Sequence, residues 1–559
     1  MSRWIASTPR GASFAGSPAQ RRPETLRRWA KGGALVCIAA LAVFLRAPHL
    51  ADRPMHGDEA NQAFKAGILL ETGRYMYDPQ DHHGPTLYYA TLPAAWALGR
   101  HTLADMTESL CRSVPLAFGI GVLATVALLA EATGWGAALI AMALLAISPS
   151  MVFYSRYYIQ EMLLVFFTAM ALGCGWRHVR ARGDRNGAPA QDRGVERAAL
   201  GWAIAFGASL GLMHATKETC VLAFAAMAIA GLAVVWRMPR RMEEAVISPG
   251  RRGPSRATTH LVAAVVAALA VSALFFSSFG SHPRGILDSA LAYAAYFHRL
   301  EEAGPHTKPW HYYLGLLTYN RYGRGPVWSE AVVVLLALAG IVRAWRDRAA
   351  TRPAAFMRFL AIYAIALLAI YSAIPNKTPW CVLSSLYPLA LLAGYGAAGL
   401  WRVAKGKVVR AAGSVLLAFA AAHLLVQDVR ATGRYAAHPA NPYVYAHTSG
   451  TFMKLVERID SLAAIAPEGK NLAIRVMVPP LDYWPLPWHL RGYSRVGYWA
   501  NPPDEVDAAI VVVAPAYQAD VERRMKAHYA MEYHGVRPGV IVAVYVEAHL
   551  WETFLRNAT

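Results

Sequence analysis

Charge is scarce in this 559-residue chain, and acid is scarcer than base: 16% of residues are charged, with 35 Asp and Glu against 55 Lys and Arg. Cysteine is rarer still. Of the five cysteines, Cys37, Cys174, Cys220 and Cys381 lie in or at the ends of apolar runs and Cys111 stands near a boundary. With no CxxC pair, neither a disulfide framework nor a cysteine zinc site can be read. The chain also lacks a Walker motif and a GxSxG elbow, which removes P-loop and α/β-hydrolase chemistry from consideration. GYGAAG at Gly394–Gly399 matches a dinucleotide pattern but closes an apolar run instead of following a strand, so close helix packing explains it better. There is no internal repeat, and low complexity is confined to the Ser/Arg/Pro-rich first 25 residues.

What is abundant is apolar sequence. With 56% hydrophobic residues and a mean hydropathy of +0.28, the chain reads as a mainly α, polytopic membrane protein. The net charge of +20 does not indicate nucleic acid, because the arginines cluster in short loops between apolar runs. That is the positive-inside pattern, with the lipid bilayer as the partner. About eleven transmembrane helices are expected, near 31–49, 113–131, 134–151, 158–176, 199–214, 218–236, 259–279, 327–343, 355–373, 380–400 and 408–427. Residues 1–30 form a basic, disordered cytoplasmic N-terminus leading into an uncleaved signal anchor.

Thr86–Gly99 is short and interrupted by Pro93. Read as an interfacial helix, it leaves the Arg-rich loops after Trp176, Trp236, Val342 and Trp401 on the side of the N-terminus. The outer face then receives loops 50–112 and 280–326 and the C-terminus. From residue 430 to 559 the long apolar runs stop. Helices at Thr448–Leu462 and Tyr517–Tyr529, with strands at Leu472–Val478, Ala508–Val513 and Gly539–Val546, predict a C-terminal extracytoplasmic α/β domain.

The stretch Met55–Tyr89 gathers Asp58, Glu59, Asp81, His82 and His83 directly after the first apolar run. Ionisable groups at a membrane edge are costly to desolvate and more often functional than decorative. The plain alternative is a solvated loop with a helix cap. Against it stands Glu161, a second acid at the same predicted face with Arg156 close by; two such carboxylates can divide the work of base and charge stabiliser. A helix dipole alone would also stabilise Glu161. Arg156, Lys217 and Lys377 offer positive charge to a departing lipid phosphate, although both lysines could equally snorkel to headgroups, with Glu218 capping the next helix. Asp81, His82, His83, Tyr88 and Trp380 complete the substrate loops. Asp58, Glu161 and His83 are the donors that would hold a divalent metal, Mg or Mn; no HxxxH or CxxC spacing supports one, and no other cofactor is implied.

The acidic HGDE, the following DHHGPTLYY and RYYIQE before an apolar helix together resemble the GT-C superfamily of polytopic glycosyltransferases, in its protein O-mannosyltransferase and aminoarabinose transferase branch. HGPTLYY, NKTPW, VYAHTS at Val444–Ser449 and YWPLPWHLR at Tyr483–Arg491 look like the prokaryotic flippase-activity-associated membrane proteins. The resemblance implies a GT-C-like transmembrane domain over 31–429 in a prokaryotic cytoplasmic (inner) membrane. It implies transfer of a sugar from a polyprenyl-phosphate donor to a glycan, lipid or protein acceptor on the extracytoplasmic face, with inversion. It places the first-loop acid at Asp58, with Glu59 adjacent, and the second acid at Glu161. Gly57 stands where the motif has proline, which should loosen the loop. The rival class is a transporter or flippase-associated component of envelope glycan assembly without catalytic activity. Such a protein would carry inverted repeats or broken helices with charges at mid-membrane, whereas the charges here gather at one face.

Overall fold

The computed structural model describes residues 18–81, 83–183, 193–236, 256–301, 307–349 and 351–558. Each predicted span falls on helical structure, with 134–151 divided between two helices, Trp135–Ala146 and Pro149–Tyr154. In chain order the membrane domain contains α1 (Pro18–Arg46), α2 (Gly57–Thr72), α3 (Thr86–Ala97), α4 (Glu108–Thr133), α5 (Trp135–Ala146), α6 (Pro149–Tyr154), α7 (Glu161–Gly183), α8 (Arg193–His214), α9 (Cys220–Trp236), α10 (Arg256–Phe276), α11 (Gly285–Glu301), α12 (Tyr312–Thr318), α13 (Ala331–Arg346), α14 (Arg352–Ala373), α15 (Val382–Val403) and α16 (Lys407–Thr432). Seven of these, α1, α4, α7, α10, α14, α15 with its lead-in from Pro379, and α16, are long and apolar enough to cross a membrane. The protein is an integral membrane protein. The other expected spans correspond to α5 and α9, which are apolar but shorter, to α8, whose first turns carry Arg193, Glu196 and Arg197, and to the 16-residue α13.

The doubtful segment Thr86–Gly99 becomes α3, of 12 residues. At about 1.5 Å per residue it reaches only ~18 Å, well short of the ~30 Å hydrocarbon core, so it does not span. At the centre of the bundle, α15 has 89% of its apolar window buried, whereas α1, α10 and α16 have 11%, 11% and 6% and are left for lipid. Glycine explains the enclosure of α15. A Cβ on Gly394 would overlap the Ala137 carbonyl oxygen of α5, and one on Gly396 would overlap the Leu336 carbonyl oxygen of α13. The GYGAAG segment therefore serves close helix approach.

The C-terminal unit is a five-stranded mixed sheet with α17 (Gly450–Ile465) and α18 (Ala548–Ala558) on one side. Its strands are β1 (Ile474–Met477), β2 (Val496–Trp499), β3 (Ile510–Val513), β4 (Tyr529–Arg537) and β5 (Val540–Glu547). They lie in the order β2-β1-β3-β5-β4, with β1 parallel to β2 and β3 and with β5 antiparallel to β3 and β4. Ile474, Val476, Ile510, Val512 and Val544 face the helices, packing on Phe452, Leu455 and Ile459. The expected helix over Tyr517–Tyr529 is corrected: it ends at Arg524, and Tyr529 opens β4. The two strands missing from the sequence reading, β2 and β4, are the two sheet edges, where one flank has no strand to pair with and the alternation of buried and exposed residues is weak.

Candidate active site

The first turn of α2 places two adjacent acids in opposite environments. His56 is the N-cap: its Nδ1 accepts from the Asp58 N–H at 3.0 Å, while its own N–H donates to Glu59 Oε2 at 3.0 Å. This reciprocal cap fixes the helix start and therefore the direction of both acids. Glu59 turns inward and is fully buried. Its Oε1 accepts from Arg112 Nε at 3.0 Å, Arg53 Nη2 at 2.9 Å and the Tyr158 N–H at 3.0 Å; its Oε2 accepts from Arg112 Nη2 at 3.1 Å and lies 2.8 Å from Arg53 Nη1. Burial alone would push the Glu59 carboxyl up, but the Arg112 and Arg53 guanidinium groups outweigh it and hold it well below the usual carboxylate range. Asp58 turns outward, with its side chain 57% exposed and its Oδ2 3.9 Å from His56 Nδ1.

Glu161 comes to the same side because the segment before it is knitted to α2. Besides the Tyr158 N–H on Glu59, Gln160 Nε2 donates to Gln62 Oε1 at 2.9 Å, an oxygen that also accepts from the Tyr88 hydroxyl. Glu161 then pairs with Lys217. Burial would depress the Lys217 ammonium, but the Glu161 carboxylate beside it raises it. The neighbouring Glu218 accepts from His83 Nδ1 at 2.9 Å. Burial opposes its ionisation, yet His83 pulls its carboxyl down to about 2. The HGPT segment lies directly on this loop: a Cβ on Gly84 would overlap the Ala215 carbonyl, the Thr86 N–H donates to that carbonyl at 3.1 Å, and the Thr86 and Thr216 hydroxyls are 2.8 Å apart. The first loop, the 156–161 segment and the 214–218 segment thus form one continuous polar cluster.

The remaining predicted residues sit around it. Trp380 reaches the cluster, its ring 6.2 Å from that of His56. Lys377 does not reach it; its ammonium donates to the carbonyls of Lys308 and Ile374. The Arg156 guanidinium donates to the His49 carbonyl at 2.8 Å, away from Lys217, and burial with the nearby Arg53 and Arg112 charges pulls it down to about 10. Asp81 pairs with Lys65 at 2.9 Å on the exposed side of α2. His82 lies outside the described residues. Of the candidate metal donors Asp58, Glu161 and His83, Glu161 and His83 are paired with Lys217 and Glu218, and among the described residues no three His, Cys, Asp or Glu side chains gather as a metal group.

Arg53, His56, Arg112 and His447 are the neighbours that sequence reasoning passed over. Arg112 carried a signal, being an arginine at the very edge of an apolar span. His447, in VYAHTS, accepts or donates at 2.8 Å to the Tyr157 hydroxyl and lies 3.2 Å from Arg53 Nη1, while Thr448 Oγ1 donates to the Met55 carbonyl at 2.5 Å. YWPLPWHLR docks the C-terminal domain on the same loop. Trp488 Nε1 donates to Glu108 Oε1 at 2.7 Å, Arg491 Nη2 donates to the Met106 carbonyl at 2.6 Å, and Trp484 stands over Gly57.

Residues 88–282 match the family described as dolichyl-phosphate-mannose-protein mannosyltransferase. The fold is that of ArnT from Cupriavidus metallidurans bound to undecaprenyl phosphate, with a TM-score of 0.58 at 17% identity over 93% of this chain and 99% of that one. The chain has the fold of this membrane glycosyltransferase. The Archaeoglobus fulgidus oligosaccharyltransferase tethered to an acceptor peptide shares the same fold, with a TM-score of 0.54 at 14% identity over 94% of this chain and 77% of that one. So does the AglB oligosaccharyltransferase of the same organism in complex with an inhibitory peptide and a dolichol phosphate, with a TM-score of 0.52 at 15% identity over 94% and 77%. No curated protein sequence matches this chain.

Proposed function

We propose that this GT-C protein moves a sugar from a polyprenyl-phosphate donor to an acceptor hydroxyl on the extracytoplasmic side of a prokaryotic inner membrane, with inversion at the sugar C1. The observation that carries the reading is the division of labour in the first turn of α2: Glu59 is spent on two buried guanidinium groups, which leaves Asp58 as the exposed carboxylate at a rigidly capped helix start. Asp58 takes the proton from the acceptor hydroxyl as that oxygen bonds to C1. The C1–O bond to the lipid phosphate breaks, and the electron pair leaves with the phosphate. General-base assistance of this kind contributes typically ~10²- to 10⁴-fold. Among the three cations first considered for the phosphate, Lys217 is the one joined to the acid cluster, and its ammonium is the charge that would meet the leaving group. A GT-C neighbour bound to undecaprenyl phosphate supports the donor class.

The test is a panel of radiolabelled undecaprenyl-phosphate sugars added to membranes enriched in the protein, with label followed into envelope material. Transfer from at least one donor, abolished by Asp58→Asn, is the expected result. Full transfer by Asp58→Asn removes the assignment of the base, and no transfer from any donor overturns the reading.

A further inference from the structure

His56 has two ring nitrogens with different fates. Nδ1 accepts from the Asp58 N–H at 3.0 Å, and a backbone amide can only donate. Nδ1 therefore carries no proton, and the neutral ring carries it on Nε2. The tautomer is fixed by the cap itself. Nε2 is buried and has no hydrogen-bond partner among the described residues, in a residue only 4% exposed. A buried donor left unpaired costs free energy that most native sites avoid, and a ligand that completes it recovers that cost on binding. The ring lies among Tyr157 at 5.9 Å, Trp380 at 6.2 Å and His447 at 5.6 Å between centroids. These three rings come from three separate segments of the chain.

We infer that His56 Nε2–H is a substrate-binding donor that takes a carbohydrate hydroxyl beside Asp58, from the donor sugar or from a sugar of the acceptor. The inference rests on the glycosyl-transfer reading. The Nδ1 of the same ring is 3.9 Å from Asp58 Oδ2, which ties this donor to the residue that the glycosyl-transfer reading makes the base. In an inverting displacement the phosphate leaves from the opposite side. A neutral donor also suits an uncharged oxygen.

Two isosteres separate binding from capping. An asparagine amide oxygen can stand where Nδ1 does and keep the cap while removing the distal donor; a glutamine amide reaches as far as Nε2 and keeps the donor while giving up the cap. Binding of the undecaprenyl-phosphate sugar that supports turnover, binding of undecaprenyl phosphate alone and the acceptor KM are measured for His56→Asn and His56→Gln in nanodiscs. The expected result is a loss of about tenfold for His56→Asn, in donor binding if the donor sugar supplies the hydroxyl or in acceptor KM if the acceptor does. Undecaprenyl phosphate binding stays unchanged, and His56→Gln restores most of the loss. The reverse order, with His56→Asn intact and His56→Gln impaired, assigns His56 to the cap alone and overturns the inference, as do two variants that both bind like wild type. Equal loss of undecaprenyl phosphate binding in both variants overturns it too. Each of these results leaves the glycosyl-transfer reading standing, because that reading fails only if the wild-type protein turns over no donor.

Discussion

Glu59→Gln is expected to unfold what Asp58→Asn leaves intact, although the two positions are neighbours. The Glu59 carboxylate compensates two guanidinium groups that are themselves buried, Arg112 at 1% exposure and Arg53 at 9%, and it also accepts from two backbone N–H groups. Glutamine keeps the shape but neutralises the charge and turns one accepting oxygen into an NH₂ that opposes the donors around it. Removing one partner of a buried ion pair costs about 3–5 kcal/mol, a large share of a total stability of about 5–15 kcal/mol. At roughly 2 °C per kcal/mol, the value for large domains, the unfolding midpoint should fall by about 6–10 °C. Asp58→Asn touches a side chain that faces solvent and a helix dipole, and should cost under about 1 kcal/mol. The assay is thermal unfolding of the purified protein in one detergent, followed by tryptophan fluorescence and by the folded fraction on gel filtration. If Glu59→Gln keeps the wild-type midpoint yet loses transfer, Glu59 does chemistry and the division of labour in α2 is wrong.

Three further outcomes follow from other contacts. Lys217→Met strands the Glu161 carboxylate in a buried site and should destabilise by about 3–5 kcal/mol, while the double variant with Glu161→Gln recovers much of that; additive effects in the double-mutant cycle would deny the pair. For Glu218 the folded carboxyl titrates near 2 against an ordinary 4.5. Its stabilisation is therefore complete above about pH 4.5 and is lost as pH falls toward 2, and His83→Ala should flatten stability across that window; an unchanged acid limb would contradict the His83–Glu218 contact. Trp488→Phe deletes the bond to Glu108 at about 1 kcal/mol and should speed proteolytic release of the domain after residue 430, whereas an unaltered cleavage rate would show that this contact does not seat it.

Much of this architecture was legible because membrane helices announce themselves by run length, and because acids are so few that Asp58, Glu161 and Glu218 stood out. The convergence of the 57–62, 157–161 and 214–218 segments followed from placing their loops on one face. What escaped was pairing. Arg53 and Arg112 read as ordinary residues of the loop over 50–112, since nothing along the chain says that both turn toward one carboxylate. Lys217 was read as facing a phosphate, and its bond to Glu161 needed three dimensions. The short cap formed by His56 was hidden because histidine is an unusual N-cap. The edge strands β2 and β4 were missed for want of alternation, and the length of α3 set its role more plainly than Pro93 did.

Turnover by Asp58→Asn, measured in the same membranes as Asp58→Glu and wild type, bears most directly on the claim that the outward acid of α2 is the base. The account predicts that Asp58→Asn binds undecaprenyl phosphate and unfolds like wild type but loses at least ~10²-fold in sugar transfer, with Asp58→Glu recovering part of the rate. Wild-type transfer by a well-folded Asp58→Asn would contradict it.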